Sequence, residues 1–419
     1  MRLCVSIFFI IGLIAGCDAT EQDFDKPDEV AEQSRPVKTG ASVLLNSYLD
    51  ELKGRNIGLV ANPTARVGDT HLLDTLLAMN VNIVALFAPE HGFRGDRPAG
   101  EEISDGIDNE TGLPVFSLYG NTRKPTPQML KETDLLIFDM QDVGVRFYTY
   151  ISTLGLVLEA AAEHDVKVWV LDRPNPLGGE YVSGFMLEEE FASFVGMFPI
   201  PVAHGMTIGE LAGMMVSQNW VEFDSEPNLK VIPMQNWHRD LVWPYTELDW
   251  RAPSPNLPHF SNALVYPGTC FIEGTTLSEG RGTPEPFMLV GAPEMQIPDS
   301  TLARIMSAYP VLLERRAFTP LTIPGVASNP KFEGKAVEGL LITPQTLNPV
   351  ALRPVEFGLE LTREMLRYTP GSSVNRFMYN LAGTRDIDAF FASYKHPAYW
   401  WVDDVNEFLK LREPYLLYE

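Results

Sequence analysis

Five short, continuous apolar runs dominate the first half of this chain: NIGLVAN (56–62), VNIVALFAP (81–89), LPVFSLYG (113–120), DLLIFDM (134–140) and VKVWVLD (166–172). Runs of this length, rich in Val and Ile and lacking polar alternation, fit strands buried on both faces. The intervening segments 70–79, 126–132 and 152–164 have helical spacing, and Leu154, Val157, Leu158 and Ala161 make one apolar stripe. Strands alternating with helices specify an α/β fold built on a doubly wound parallel sheet. After the helical TIGELAGMMVSQ (207–218) the texture changes, through strand-like LKVIPM (229–234) and Pro-rich WRAPSPNLP (250–258), to the further strand and helix patterns FMLVGAP, VEGLLIT and FGLELTREMLRY. We therefore expect a sheet domain over 42–240 and a second, smaller α/β domain over 241–419 that contributes to a shared cleft.

A sheet of this kind carries its functional loops at the carboxyl ends of its strands. The unusual polar residues collect there: Asn62 after the first run, Pro89-Glu90-His91-Gly92 after the second, Asp139 to Asp142 after the fourth, and Asp172 to Pro176 after the fifth. Their convergence implies one site. No GxGxxG follows the first strand and no GK[ST] loop is present, so nothing supports a nucleotide cofactor, and a Rossmann-like sheet alone does not imply one.

The ends of the chain bear on location and partners. The N-terminal MRLCVSIFFIIGLIAGCDAT has one basic residue, an apolar run too short to span a bilayer, and small residues before Cys17. That is a signal-peptide pattern. Ile14-Ala15-Gly16-Cys17 also resembles the bacterial lipobox, which implies a lipidated Cys17 as mature N-terminus, an exported protein anchored to the cell envelope and facing the periplasm. Asp18 after it resembles an inner-membrane retention signal found in some bacteria. Residues 18–41 are acidic and aperiodic, as expected of a disordered tether. A net charge of -23 argues against nucleic acid and against membrane binding by a basic surface, leaving the anchor as the membrane contact and a neutral or amphoteric glycan as the better partner. With Cys4 in the leader and Cys17 lipidated, Cys270 alone remains in the body and no internal disulfide can form.

Three segments carry residues suited to chemistry. Glu90 ends a buried strand in the loop PEHGFRG; beside a wall such as Phe93 a carboxyl would have a raised pKa, as a general acid needs, or it would form a loop ion pair with Arg94. FDMQDVGVRFYTYISTLG gathers Asp139, Gln141, Asp142, Arg146, Tyr148 and Tyr150, a mixture of hydrogen-bond forks, aromatic rings and arginine that suits a sugar bearing an anionic group. The bland reading has one of the tyrosines, or both, beginning the next helix as core. Glu273, Glu279 and Arg281 are flanked by glycines in EGTTLSEGRGT, and either glutamate can partner Glu90 or orient Arg281. His91, His204 and His259 sit in loop-like settings suited to substrate, but no histidines stand at metal-ligand spacing, so no metal is expected. There is no GxSxG elbow; Ser254 and Ser278 keep a serine hydrolase as a lesser alternative.

In order along the chain, GLVANPT, LFAPEHGFRG, GLPVFSLYG, FDMQDVGVRFYTYISTL, VLDRPNPLGG, HGMTIGELA, PSPNLP and YPGTCFIEGTTLSEGRGT resemble the motif run of the NamZ-type exo-β-N-acetylmuramidase family over about 42–419. The resemblance implies a Rossmann-like N-terminal domain, a smaller C-terminal one, no cofactor, and a cleft that takes a terminal N-acetylmuramic acid of peptidoglycan fragments. It places Glu90 as the motif glutamate, with Asp139, Gln141, Arg146, Asn175, Glu273, Glu279 and Arg281 at matching positions. Glycoside hydrolysis uses two carboxyls, or one carboxyl and the substrate's acetamido group. The expectation is thus Glu90 as general acid, one of Glu273, Glu279 or Asp139 as its partner, and Arg146 or Arg281 on the lactyl carboxylate. Asn62, His91, Arg94, Asp142, Tyr148, Asn175, His204 and Asn256 are the further expected substrate contacts. A non-catalytic peptidoglycan-binding lipoprotein, or a serine esterase or amidase using Ser254 or Ser278 with His91, are the competing readings.

Overall fold

The computed structural model describes residues 35–90, 92–93, 105–223 and 227–419. Each of the five apolar runs is a strand: β1 (Ile57–Ala61), β2 (Ile83–Ala88), β4 (Pro114–Ser117), β5 (Leu135–Asp139) and β6 (Lys167–Leu171), with a two-residue β3 (Gly106–Ile107) antiparallel beside β4. LKVIPM supplies β9 (Leu229–Ile232), which pairs in parallel with β6 and so belongs to this sheet. The seven strands run in the order β9-β6-β5-β1-β2-β4-β3.

Alternate side chains of the central strands enter two separate cores, which is why their runs lack polar alternation. Ile57, Leu59 and Ala61 of β1 pack with helices α1 (Gly40–Ser47) and α2 (Leu72–Ala78) on one face. Val60, Phe87 and Phe138 meet α3 (Tyr150–Glu163) and α4 (Ile208–Ser217) on the other. The TIGE motif begins α4 with reciprocal hydrogen bonds: the Glu210 N–H donates to Thr207 Oγ1 at 3.2 Å, and the Thr207 N–H to Glu210 Oε2 at 3.0 Å.

From β1 the chain winds outward through β2 and β4, then crosses back to β5 and winds the other way. The strand order reverses between β1 and β5, where Ala61 stands opposite Asp139 in register. A crevice at the carboxyl ends beside this reversal is the expected ligand position.

Two strands, β7 (Ser183–Met186) and β8 (Pro201–Ala203), form an antiparallel pair whose connecting loop carries Phe194. The smaller part of the fold has an antiparallel sheet in the order β10-β12-β11, from β10 (Leu289–Ala292), β11 (Val311–Arg315) and β12 (Glu338–Pro344). It also holds α6 (Asp299–Ala308), the long α7 (Pro354–Arg367) and α8 (Val402–Arg412).

One helix escapes the sequence reading. Residues 260–269, for which the sequence suggests no element, form α5 (Phe260–Thr269) with Pro267 inside it. It crosses α7 at two glycines: a Cβ on Gly358 would overlap the backbone of Gly268, and one on Gly268 would overlap the Pro354 carbonyl. The close crossing holds Tyr266 and the following turn against the sheet domain.

The C-terminus returns to the first domain. The Arg239 N–H donates to the Glu419 carbonyl at 2.8 Å, and Tyr418 donates its hydroxyl to the Asp172 carboxylate at 2.5 Å. Among the described residues no helix is long and apolar enough to cross a membrane.

Candidate active site

A cavity of about 490 Å³ opens beside the carboxyl ends of β2 and β5. The sheet domain contributes Glu90, Tyr119, Arg123 and the run Phe147-Tyr148-Thr149; the loop between β7 and β8 adds Ser193 to Val195. The α5 region supplies Tyr266, Cys270, Glu273 and Arg281, and Phe287, Val326 and Phe377 close the apolar side. Among the described residues two carboxylates, two arginines and several aromatic rings therefore share one volume. A sugar needs these groups: rings against its apolar face and charged forks for its polar edge.

Glu90 follows β2 directly and is half-buried, with Oε2 accepting the Thr149 hydroxyl at 3.0 Å. Tyr119, at the end of the β4 run, turns its hydroxyl to the same carboxylate. Burial first, then the Glu90 charge and hydrogen bond, raise that phenol's titration, so it remains a proton donor at neutral pH.

Glu273 is the second cleft carboxylate. Its Oε1 accepts from Arg281 Nε at 2.6 Å, and its Oε2 lies 3.5 Å from the Cys270 thiol. Burial pushes that thiol well above its usual range, with the Glu273 charge adding to it, so Cys270 is a thiol rather than a nucleophilic thiolate. Lys331 fastens the turn from behind: its Nζ donates to the carbonyls of Ile272 and Leu277 at 3.1 and 2.9 Å and pairs with Glu279 at 3.0 Å.

Residues 57–261 match the family model for the N-terminal domain of exo-beta-N-acetylmuramidase NamZ, and 264–418 match that for its C-terminal domain. The chain belongs to the NamZ family. It is 49% identical over 271 residues to the peptidoglycan beta-N-acetylmuramidase NamZ of Bacillus subtilis (strain 168). That similarity covers 64% of this chain and 64% of the relative's length. Two DUF1343 family proteins of Bacteroides fragilis have the same fold, at 33% and 35% identity with TM-scores of 0.79 and 0.76, each over 92% of this chain and 99% of theirs.

Within this NamZ-family cleft stand four of the residues expected from sequence: Glu90, Tyr148, Glu273 and Arg281. Tyr148 lines the cleft with its buried hydroxyl beside that of Tyr150, the two rings edge to face at 4.8 Å between centroids. Tyr150 is core, as one of the readings had it: it accepts from Asn62 Nδ2 at 2.6 Å and donates to the Pro253 carbonyl at 2.8 Å.

The remaining expected residues support the cleft from outside. Arg146 is the clearest correction. Only 1% exposed, its two terminal nitrogens donate to the carbonyls of Phe185, Ile200, Leu381 and Ala382 at 2.7–2.8 Å, so no bidentate fork is left for a lactyl group. Asp139 is fully buried and held by Arg173 through Nε and a terminal nitrogen at 2.6 and 3.0 Å, which withdraws it from the catalytic candidates. Glu279 is buried behind Arg281, 3.8 Å from its Nε, and does not line the cavity.

Asn62, Gln141, Asp142, Asn175, His204 and Asn256 are likewise structural. Asn62 and Asn175 accept backbone N–H groups two residues on, in Thr64 and Leu177, and Asp142 accepts that of Gly144 at 2.7 Å. Gln141 donates to the Pro174 carbonyl at 2.7 Å, and Asn256 to that of Val326 at 2.8 Å. His204 is fully buried with Nδ1 accepting from Met206 and Nε2 3.8 Å from Asp142. His259 is exposed ahead of α5 and does not line the cavity. His91, Arg94 and Cys17 lie outside the described residues. Polar groups at strand ends were read as ligand contacts; most of them close turns whose backbone would otherwise be unsatisfied.

Sequence reasoning missed Tyr119, Arg123, Thr149, Phe194 and Tyr266. Tyr119 was within reach, since it ends a strand run as Glu90 does. Phe194 sits in a loop with no motif, and only folding brings it to the cleft. Neither serine of the alternative reading has an imidazole partner among the described residues: Ser254 Oγ and Ser278 Oγ accept the N–H groups of Asn256 and Gly280. Among the described residues no group of three or more His, Cys, Asp and Glu is arranged to hold a metal.

Proposed function

We propose that this NamZ-family protein is an exo-acting glycoside hydrolase that releases N-acetylmuramic acid from the non-reducing end of peptidoglycan fragments, in cell-wall turnover or recycling. The observation that carries the reading is Glu90, set at the sheet's switch region and approached by the Thr149 and Tyr119 hydroxyls, in a cleft whose second carboxylate is Glu273. Family membership and the Bacillus subtilis relative's name support the same chemistry.

In this mechanism the Glu90 carboxyl gives its proton to the glycosidic oxygen as the C1–O bond breaks. Thr149 fixes the Oε2 edge and so aims the proton. Positive charge developing at the anomeric carbon is met by Glu273, whose orientation is set by Arg281. Glu273 acts either on water or on the substrate's own acetamido group, and a water oxygen finally joins C1. The rings of Phe147, Tyr148 and Phe377 pack against the sugar.

The location is part of the proposal and rests on the sequence at 1–17: an exported protein held to the envelope by acyl chains on Cys17 and facing the periplasm. The activity is tested with chromogenic β-glycosides of N-acetylmuramic acid and N-acetylglucosamine, using the wild type and Glu90→Gln. Turnover of the muramic compound, lost in the variant, is the expected result; equal turnover by Glu90→Gln ends the assignment.

A further inference from the structure

We propose that Arg123 is the residue that reads the sugar's carboxylate, and that it makes the cleft selective for an acidic over a neutral amino sugar. The inference rests on the proposed muramidase activity and names the substrate-recognition group within that site.

The chain carries a net charge of -23, so an anionic sugar gains nothing from the overall field and needs a local cation. Among the described residues two arginines line the cavity, Arg123 and Arg281. Arg281 has its charge offset by two carboxylates: its Nε is on Glu273 at 2.6 Å, with Glu279 at 3.8 Å. Arg146 is spent on four carbonyls. Arg123 has neither a hydrogen bond nor an ion pair among the described residues, although it lines a cleft containing two glutamates.

Arg123 is nevertheless positioned. Its guanidinium carbon lies 4.5 Å from the centroid of the Phe194 ring, and Phe194 packs on Tyr119 with centroids 6.0 Å apart. A ring beneath the guanidinium occupies its face and leaves the in-plane N–H donors open, as a bidentate carboxylate contact requires. Tyr119 in turn faces Glu90, and its phenol feels both Glu90 and Arg123. The stack therefore sets a carboxylate-binding fork beside the catalytic acid. A lysine there would keep the charge but lose the fork.

The test compares β-glycosides of N-acetylmuramic acid, its lactyl amide and N-acetylglucosamine on the wild type, Arg123→Gln and Arg123→Lys. For the free acid, Arg123→Gln should raise KM roughly 10- to 100-fold with little change in kcat, the size of a lost charge-assisted pair. The amide and N-acetylglucosamine compounds should change little, and Arg123→Lys should recover part of the loss. Titration calorimetry with free N-acetylmuramic acid reads the same contact without turnover, so a wild type that binds but does not hydrolyse would refute the activity and leave Arg123 decided by the variant's affinity. Unchanged preference for the acid in Arg123→Gln, with melting temperature preserved, overturns the proposal.

Discussion

Arg281 Nε lies 2.6 Å from Glu273 Oε1 inside the cleft, and that pair fixes which of three candidate carboxylates faces the substrate. Glu273→Gln should lower kcat by about 10²- to 10⁴-fold, the range for loss of a positioned acid–base group, with a smaller change in KM. Glu279→Gln should act mainly on stability, since Glu279 is buried against Lys331. Steady-state kinetics beside thermal melts separates the two; a larger kcat loss from Glu279→Gln would reverse their roles.

Thr149 donates its hydroxyl to Glu90 at 3.0 Å. Thr149→Val keeps the shape and removes the donor. The expected outcome is a kcat loss of about 10-fold, corresponding to one lost hydrogen bond to the carboxyl. Thr149→Ser should restore most of it. Equal activity of all three forms would remove Thr149 from the positioning of Glu90.

Arg146 joins four carbonyls from three regions of the chain: β7, the segment before β8, and residues 381–382. Its replacement by Met should cost at least about 3 kcal/mol, because buried carbonyls lose their donor together. Chemical denaturation reads this loss. Any folded fraction should keep the wild-type KM, whereas a raised KM at full stability would restore Arg146 to the substrate.

Asp172 offers a pH test. Burial pushes its carboxyl up to about 7, against the opposing pull of the Tyr418, Thr207 and Gly209 donors. A carboxyl raised on folding contributes its stability fully below the unfolded value near 4, and that stability is lost as pH rises through about 7. Thermal melts from pH 4 to 8 should show this decline in the wild type. Asp172→Asn should flatten it; an unchanged slope would exclude Asp172 as its source.

Lipid attachment is separable from all of these. Cys17→Ala expressed with the native leader should abolish incorporation of labelled palmitate and release the protein from the membrane fraction. Incorporation that persists in the variant would place the acyl chain elsewhere.

The sheet was legible because its central strands enter two cores at once, which leaves no polar position to blur a run such as Leu135 to Phe138. Glu90 was legible for a topological reason: it follows a strand beside the reversal. The same rule overreached at Asp139, Asn62 and Asn175. A strand end needs polar side chains to close its turns as much as a ligand does, and sequence does not distinguish the two uses. Arg146 misled through its type, since an arginine that satisfies backbone carbonyls looks the same in sequence as one that awaits an anion. Tyr266 and Phe194 reach the cleft only through the α5–α7 crossing and the β7–β8 loop, contacts distant along the chain.

That crossing has a genetic consequence. The two family models abut within α5, one ending at 261 and the other starting at 264, while the helix runs unbroken from Phe260 to Thr269. A gene cut at this junction would divide a helix whose far end grips Gly358 and whose continuation carries Glu273. Neither fragment would inherit a complete cleft. The halves are thus bound to travel as one reading frame, and recombination that swaps one of them between relatives must bring α5 and α7 across together.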